Sequence, residues 1–132
     1  MIESYSNISD EIYEQIKDIV GDEFISKDPE ILWCYAFDGT MFKENTIPEI
    51  VVLPGNKDEI SEILKIANKN KIIVIPRGSG TSLSGGPISV FGGGIILDLS
   101  RMNKILSIDI PNNLTVVQPS VICDDLNFEL NK

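Results

Sequence analysis

The chain has 132 residues, of which 42% are hydrophobic, and a formal net charge of −9. This length is enough for one domain with a sizeable core, and the excess of acidic residues argues against a surface for nucleic acid or anionic membrane, which needs clustered Lys and Arg. The sequence contains no histidine, which excludes the commonest general base near neutral pH and the commonest zinc ligand. We therefore predict no metal site and no catalytic residue in this chain.

The sequence shows no sign of secretion or membrane insertion. Cys34 and Cys123 belong to no CxxC or metal-spaced motif, which is typical of thiols inside a cell. The first five residues are polar and acidic, unlike a secretory leader. Apolar runs such as 72–75 are far shorter than the roughly 20 residues that cross a bilayer. A cytoplasmic location without a membrane span is predicted.

The first third of the chain predicts one helix and then an irregular segment. Residues 9–20 carry an apolar stripe at helical spacing between a candidate N-cap, Ser9, and a C-terminal glycine, Gly21. Residues 28–48 have no regular period, although Pro29 favours a helix start. The aromatic residues of this segment are predicted to pack in the fold rather than to bind a ligand: Trp33, Tyr35, Phe37 and Phe42.

The remainder alternates apolar runs with one amphipathic segment. Residues 50–53 and 72–75 are continuous apolar runs, typical of buried strands, and the segment between them predicts a helix capped by Asn56. Strand, helix and strand in this order form a parallel βαβ unit. Three more predictions follow along the chain: a strand at 95–99, a hairpin of 105–110 with 114–118, and a helix at 123–130. The predicted fold class is α+β: a small parallel sheet with flanking helices, of α/β type, followed by the start of an antiparallel part.

A glycine-rich loop, residues 76–94, follows the second buried strand and begins PRGSGTSLSGGP. Glycine permits backbone conformations that turn consecutive amides toward one anion and lets a diphosphate approach the main chain. Thr81, Ser82 and Ser84 add hydroxyl donors. Because open α/β sheets bind ligands at the carboxyl ends of their strands, this pattern indicates a loop that binds a pyrophosphate.

Two familiar phosphate-binding loops do not fit this segment. A Rossmann loop continues directly into a helix, whereas Gly80 is followed by TSLSGGP. A Walker loop needs lysine, and none lies between Lys71 and Lys104. Glycine content alone leaves a third interpretation open, a flexible surface loop without a ligand.

The order of the residues is more specific. The segments IPRGSGTSLSGG, GGIILDLSRMNKIL and VVQPSV resemble the FAD-binding domain shared by vanillyl-alcohol oxidase and p-cresol methylhydroxylase. Within that superfamily the chain looks most like the N-terminal portion of the glycolate oxidase flavoprotein subunit and of D-lactate dehydrogenases. The resemblance covers almost the whole chain, including VGDEFISKD and YAFDGT. It implies non-covalently bound FAD and an enzyme that oxidises a 2-hydroxyacid by hydride transfer to the flavin.

The resemblance also implies which residues bind FAD. In the family the loop binds the pyrophosphate through backbone amides, and a later Gln-Pro-Gly segment touches the cofactor. That segment reads Gln118-Pro119-Ser120 here, so a serine replaces the usual glycine. The cofactor-binding residues predicted in this way are Pro76, Arg77, Gly78, Ser79, Gly80, Thr81, Ser82, Gly86, Pro119 and Ser120.

Two other polar side chains, Arg77 and Asp98, have more than one interpretation, and Arg101 has one. The side chain of Arg77 either pairs with a phosphate or bonds carbonyls within the fold. Asp98 is either a catalytic base or a turn or edge carboxylate, and the second role is predicted. Arg101 is predicted to tether the turn after the third strand. Gly80→Val is expected to abolish FAD binding with little effect on folding.

The resemblance divides the chain into an N-terminal segment, 1–48, a first FAD-binding subdomain, 49–103, and the beginning of a second, 104–132. The family's substrate domain lies beyond these parts, so the chain alone is expected to be inactive. Its expected partners are FAD and either the missing C-terminal part of the enzyme, a partner chain, or a second copy joined through exposed sheet edges. Two alternatives are a non-catalytic nucleotide-binding or interaction module and one half of a split flavoenzyme.

Overall fold

The structure is a computed structural model that describes residues 5–40 and 47–131. Strands β1, β2, β3 and β4 form one sheet in the order β1-β2-β4-β3, and β5 pairs with β6 in a second. The elements in chain order are α1 (Asp10–Val20), β1 (Ile25–Ser26), α2 (Pro29–Cys34), β2 (Ile50–Val52), α3 (Lys57–Asn70), β3 (Val74–Arg77), β4 (Ile95–Asp98), β5 (Ile105–Asp109), β6 (Leu114–Val117) and α4 (Cys123–Leu130).

The main sheet has the predicted parallel strands in an order that the sequence did not indicate. Strand β4 lies between β2 and β3 and is parallel to both, with Ile96 opposite Val51 on one side and Ile75 on the other. Strand β1 adds an antiparallel edge to β2 through the pair Ile25 and Val52. Strand β1 was not predicted, because two residues are too few to show a period.

The second strand begins two residues later than predicted. Lys71 ends α3 in the left-handed conformation, with φ of 56°, and the amide of Ile72 still donates to the helix carbonyl of Ala67 at 2.9 Å. Ile72 therefore belongs to the end of the helix, although it is buried in the core. At its other end the strand includes Pro76, which an edge strand tolerates because its outer side needs no amide donor.

The core lies on both faces of the main sheet. Ile16 of α1 and Ile63 of α3 pack on one face, against Val52 and Leu97. Leu32 of α2 packs on the other face, in a cluster with Val51, Ile75 and Ile96 of the three parallel strands. Burial on both faces explains why the parallel strands are continuous apolar runs rather than alternating ones. The elements of segment 1–48 share this core with those of 49–103, while the domain boundaries themselves stay a prediction.

Local signals placed α1 and α3 correctly, whereas the prediction of an irregular segment was wrong at α2, which is too short for its apolar spacing to show a helical period. Ser9 Oγ accepts a hydrogen bond from the amide of Ile12 at 3.3 Å, and the side chain of Asn56 accepts from the first-turn amides of α3. Arg101 tethers the turn after β4, as predicted, because it donates to the carbonyl of Leu53 at 2.7 Å and stacks 3.4 Å from the ring centroid of Phe24.

The glycine-rich segment 76–94 has two parts with different roles. Gly92, Gly93 and Gly94 all have positive φ, between 70° and 74°. A Cβ on Gly94 would lie 2.7 Å from the carbonyl oxygen of Ile73, and the carbonyl of Gly94 accepts bonds from the amides of Glu49 and Ile50 at the start of β2. This triplet therefore brings the chain into β4 between two strands. Only the earlier part, from Gly78, remains a candidate ligand loop.

The hairpin and α4 have much apolar surface. Helix α4 buries none of its residues. The exposed apolar side chains of this region are Leu106, Ile108, Ile110, Leu114, Val116, Val117, Ile122, Phe128 and Leu130.

Over the described ranges, no helix has the length and apolar character needed to cross a membrane. The same ranges contain no cluster of three or more Cys, Asp and Glu side chains arranged to hold a metal ion.

Candidate functional site

A groove of about 870 Å³ lies at the carboxyl ends of β3 and β4. Its lining comes from the end of α2 (34–35), the start of the glycine loop (77–79), three residues at and after the end of β4 (98, 100 and 103) and the segment after the hairpin (119–123). Adjacent parallel strands end at the same edge of the sheet, which brings these four segments together. This is the edge at which open α/β sheets bind ligands.

The loop beside this groove has uncommitted backbone donors. The amides of residues 78–82 donate to no acceptor in the part of the chain that the structure describes. The amides of Ser84 and Gly85 are bonded, Ser84 to Ser82 Oγ at 3.2 Å and Gly85 to Asp38 Oδ2 at 3.0 Å. The bonds at residues 84 and 85 fix the loop just after its free amides. A run of free amides in a loop fixed in this way can bind an anion.

The loop glycines differ in what they allow. Gly80 has a φ of 73°, and a Cβ there would overlap the Arg77 guanidinium, with the Nε atom 2.8 Å away. Gly78 has no positive φ, and a Cβ there would meet nothing within 4 Å. At the turn, Gly85 has a φ of 76°, whereas Gly86 has no positive φ and leaves ordinary space for a Cβ. The turn conformation thus depends on Gly80 and Gly85, and Gly78 faces open space.

The sequence left two roles open for the Arg77 side chain, pairing with a phosphate or bonding carbonyls within the fold. In the structure it bonds carbonyls within the fold. Both terminal nitrogens donate to the carbonyl of Phe37 at 3.0 Å, and Nη1 also donates to the carbonyl of Pro87 at 3.1 Å. Its neighbour Pro76 is exposed in the edge strand. The hydroxyls of the loop bond in pairs, Ser79 with Thr81 at 3.3 Å and Ser82 with Ser84 at 3.1 Å.

The segment after the hairpin forms the opposite wall of the groove. The amide of Ser120 donates to the carbonyl of Met102 at 2.9 Å, and Gln118 is tied to the backbone of Lys104. Pro119 and Ser120 both line the groove. The hydroxyl oxygen of Ser120 is buried and has no hydrogen-bond partner among the described residues. An unpaired buried hydroxyl costs roughly 1–3 kcal/mol, so this atom fits a ligand that donates or accepts a bond here.

Tyr35 is a groove residue that the sequence analysis treated as packing. Its hydroxyl donates to Asp98 Oδ2 at 2.7 Å, and Asp98 Oδ1 accepts from the amide of Ser100 at 2.8 Å. Asp98 is thus a buried turn carboxylate, as predicted. No local pattern could reveal this pair, since 63 residues separate its members. Of the other aromatics, Phe37 packs edge-on against Trp33, with centroids 4.9 Å apart, and Phe42 lies outside the described residues.

The Tyr35 contact predicts a dependence of stability on alkaline pH. Burial, and then the hydrogen bond to Asp98, raise the pKa of Tyr35 above its usual 10.0. Below about pH 10 the hydroxyl is neutral in both states, whereas above it the unfolded chain ionises first, so stability falls toward the higher folded pKa. We expect the stability advantage of the wild type over Tyr35→Phe to shrink between about pH 8 and pH 11 in urea unfolding. A constant advantage would contradict the raised pKa.

Comparison with solved structures identifies the fold. The chain aligns with p-cresol methylhydroxylase at a TM-score of 0.80 and 22% identity, covering 94% of this chain and 25% of that one. It aligns with alkyldihydroxyacetonephosphate synthase at a TM-score of 0.81 and 20% identity, covering 99% and 26% of the two chains. The predicted α+β fold is therefore confirmed as the fold of about a quarter of each of these larger proteins.

Sequence comparison identifies the family. The FAD binding domain family matches residues 48–132, so the chain belongs to that family, whose cofactor is FAD. It is 37% identical over 119 residues to glycolate oxidase subunit GlcD of Bacillus subtilis (strain 168), covering 90% of this chain and 25% of that protein. It is 33% identical over 128 residues to D-lactate dehydrogenase of Anaerostipes hadrus, covering 97% and 26%. The chain thus spans about a quarter of the length of these relatives.

Proposed function

We propose that the groove at the ends of β3 and β4 binds FAD, with the amides of residues 78–82 on its pyrophosphate. The observation that carries this proposal is the run of uncommitted amides that begins in the groove lining at Gly78 and Ser79 and continues along the loop. The buried Ser120 hydroxyl without a partner supports it from the opposite wall. In this arrangement Gly78, Ser79, Gly80, Thr81 and Ser82 bind through the backbone. Pro119 and Ser120 line the far side, while Arg77 fixes the position of the loop.

We further propose that the chain is the FAD-binding front of an oxidoreductase that oxidises a 2-hydroxyacid of the glycolate or D-lactate type. Two relatives with at least 33% identity carry those activities in their names. FAD, when bound, supplies the hydride acceptor, and this chain binds and orients it. The substrate site and the base belong to the three quarters of the relatives' length that this chain does not span, so these residues alone do not turn over substrate.

The exposed apolar surface of the hairpin and α4 supports a partner for this region. An isolated two-stranded hairpin is marginally stable in water, and here both of its edges are open in the described sheet. We propose that the remainder of the enzyme covers this surface, either in the same polypeptide or as a partner chain of a split flavoenzyme. The cytoplasmic location stays a prediction.

A second candidate function is a non-catalytic nucleotide-binding module. It is favoured by the free amides, which any diphosphate could use. The adjoining coding sequence discriminates between the two candidates. If it encodes the rest of an FAD-linked oxidoreductase, the enzyme is supported, whereas its absence favours the module.

Alkylation of the two cysteines tests the FAD site. Cys34 and Cys123 are exposed free thiols that line the groove from opposite segments. We expect FAD at about ten times its Kd to slow the reaction of both with a maleimide roughly tenfold, because only the unliganded fraction reacts. The measurement is the labelling rate at each cysteine by peptide mass spectrometry.

Two controls make this experiment specific. A cysteine introduced by Ser61→Cys, at an exposed position of α3, should label at the same rate with and without FAD. Riboflavin, which has no pyrophosphate, should protect far less than FAD. Unchanged labelling of both native cysteines at saturating FAD would rule out the proposed groove.

A further inference from the structure

We infer that Arg77 is a positioning residue. It holds the pyrophosphate loop against residues 35–40, here called the clamp segment, and does not itself bind the cofactor. The inference rests on the proposed function, because it names what fixes the loop of that site. The clamp segment reads YAFDGT and runs from the end of α2 to the edge of the described range.

The first group of contacts belongs to the guanidinium. It bridges the Phe37 carbonyl of the clamp segment and the Pro87 carbonyl at the far end of the loop, at 3.0 and 3.1 Å. Its Cζ atom also lies 5.2 Å from the ring centroid of Tyr35. Gly80 passes so close that a Cβ there would overlap the same group. The guanidinium therefore fills the space between the loop and the clamp segment.

The second group of contacts comes from the clamp segment itself. The amide of Gly39 donates to the carbonyl of Ser82 at 2.7 Å, and Asp38 Oδ2 accepts from the amide of Gly85 at 3.0 Å. The other Asp38 oxygen accepts from the amide of Thr40 at 2.8 Å, which fixes the carboxylate. These bonds hold the loop at Ser82 and Gly85. The Arg77 side chain adds its own bonds to the clamp segment and to Pro87.

The consequence concerns affinity. A loop held at several points loses less conformational freedom when it binds, and preorganisation of this kind raises affinity without any new contact to the ligand. Arginine suits the bridge because its planar fork can reach two carbonyls at once, which a lysine ammonium does less well. We therefore expect Arg77→Lys to weaken FAD binding although the positive charge is kept.

The experiment compares Arg77→Lys and Arg77→Met with Arg101→Met in the full chain. Arg101 is a matched control, since it also bonds a backbone carbonyl and stacks on an aromatic ring, and it is absent from the residues lining the groove. We expect the Kd for FAD, measured by calorimetry, to rise about tenfold or more in both Arg77 variants and to change less than about twofold in Arg101→Met. Melting temperatures identify any general loss of folding.

A second readout needs no ligand. In the FAD-free chain, NMR hydrogen exchange at the amides of Gly39 and Gly85 reports the two bonds between the clamp segment and the loop. We expect both amides to exchange about tenfold faster or more in Arg77→Met and at wild-type rates in Arg101→Met. If Arg77 were instead a direct phosphate ligand, FAD binding would weaken and exchange in the free chain would not change.

The outcomes separate the two proposals. If the wild type does not bind FAD, the proposed function fails, and the exchange rates still test the role of Arg77. If the wild type binds FAD and the Arg77 variants keep its Kd, or if Gly39 and Gly85 keep their exchange rates in Arg77→Met, the positioning role is overturned.

Discussion

Replacing Gly78 with valine is expected to weaken FAD binding about 100-fold, equivalent to roughly 2.7 kcal/mol, with almost no change in stability. Gly78 lies in the groove lining and has no positive φ, and a Cβ there would meet no other atom within 4 Å. Valine therefore fits the free protein without strain. Its side chain occupies space that the pyrophosphate needs in order to reach the amides of residues 78–82.

The matched variant is Gly80→Val, for which the structure changes the expectation drawn from the sequence. Gly80 has a φ of 73°, and a side chain would collide with the guanidinium of Arg77. The substitution therefore strains the loop and displaces Arg77, so binding and stability should both fall, by roughly 1–3 kcal/mol in stability. The expectation of little effect on folding, which assumed an exposed loop, does not hold at Gly80.

Calorimetry with FAD and thermal unfolding of both variants check this pair of predictions. The expected pattern is lost binding with an unchanged melting temperature for Gly78→Val, and loss of both for Gly80→Val. Wild-type affinity in Gly78→Val would contradict the placement of the pyrophosphate at this loop.

Replacing Gly94 with alanine is expected to destabilise the whole fold by about 3 kcal/mol. Gly94 is buried with a φ of 74°, and its Cβ would lie 2.7 Å from the carbonyl oxygen of Ile73. That contact is with backbone, so no side chain can move aside. The Gly94 carbonyl also accepts from the amides of Glu49 and Ile50 at 2.9 and 3.3 Å, so a shift here disturbs the pairing of β2 with β4.

Urea or thermal unfolding measures this effect, and Gly86→Ala is the control. Gly86 is exposed, has no positive φ and leaves ordinary space for a Cβ, so its substitution should change stability by less than about 0.5 kcal/mol. For Gly94→Ala the melting temperature should fall by roughly 10 °C. A stable Gly94→Ala protein would show that the triplet 92–94 does not govern entry into β4.

The local elements were predictable because their signals are local. Ser9 and Asn56 cap their helices as the sequence indicated, and the hairpin and the last helix begin within a residue of their predicted positions. Where a local signal was weak, the boundary moved. The second strand starts at Val74 rather than at residue 72 because the helix end retains Ile72 through a backbone bond.

The sequence by itself determined α1, α3, α4, the three parallel strands, the hairpin and the family to which the chain belongs, since periodicity, caps and the motif around 76–87 depend only on neighbouring residues. Only the tertiary structure decided the strand order, the pairing of Tyr35 with Asp98 and the inward position of Arg77. It also separated glycines that the turn requires, such as Gly80, from Gly78, which leaves open space. The physical reason is that these features depend on contacts between segments distant in sequence, which no local pattern encodes.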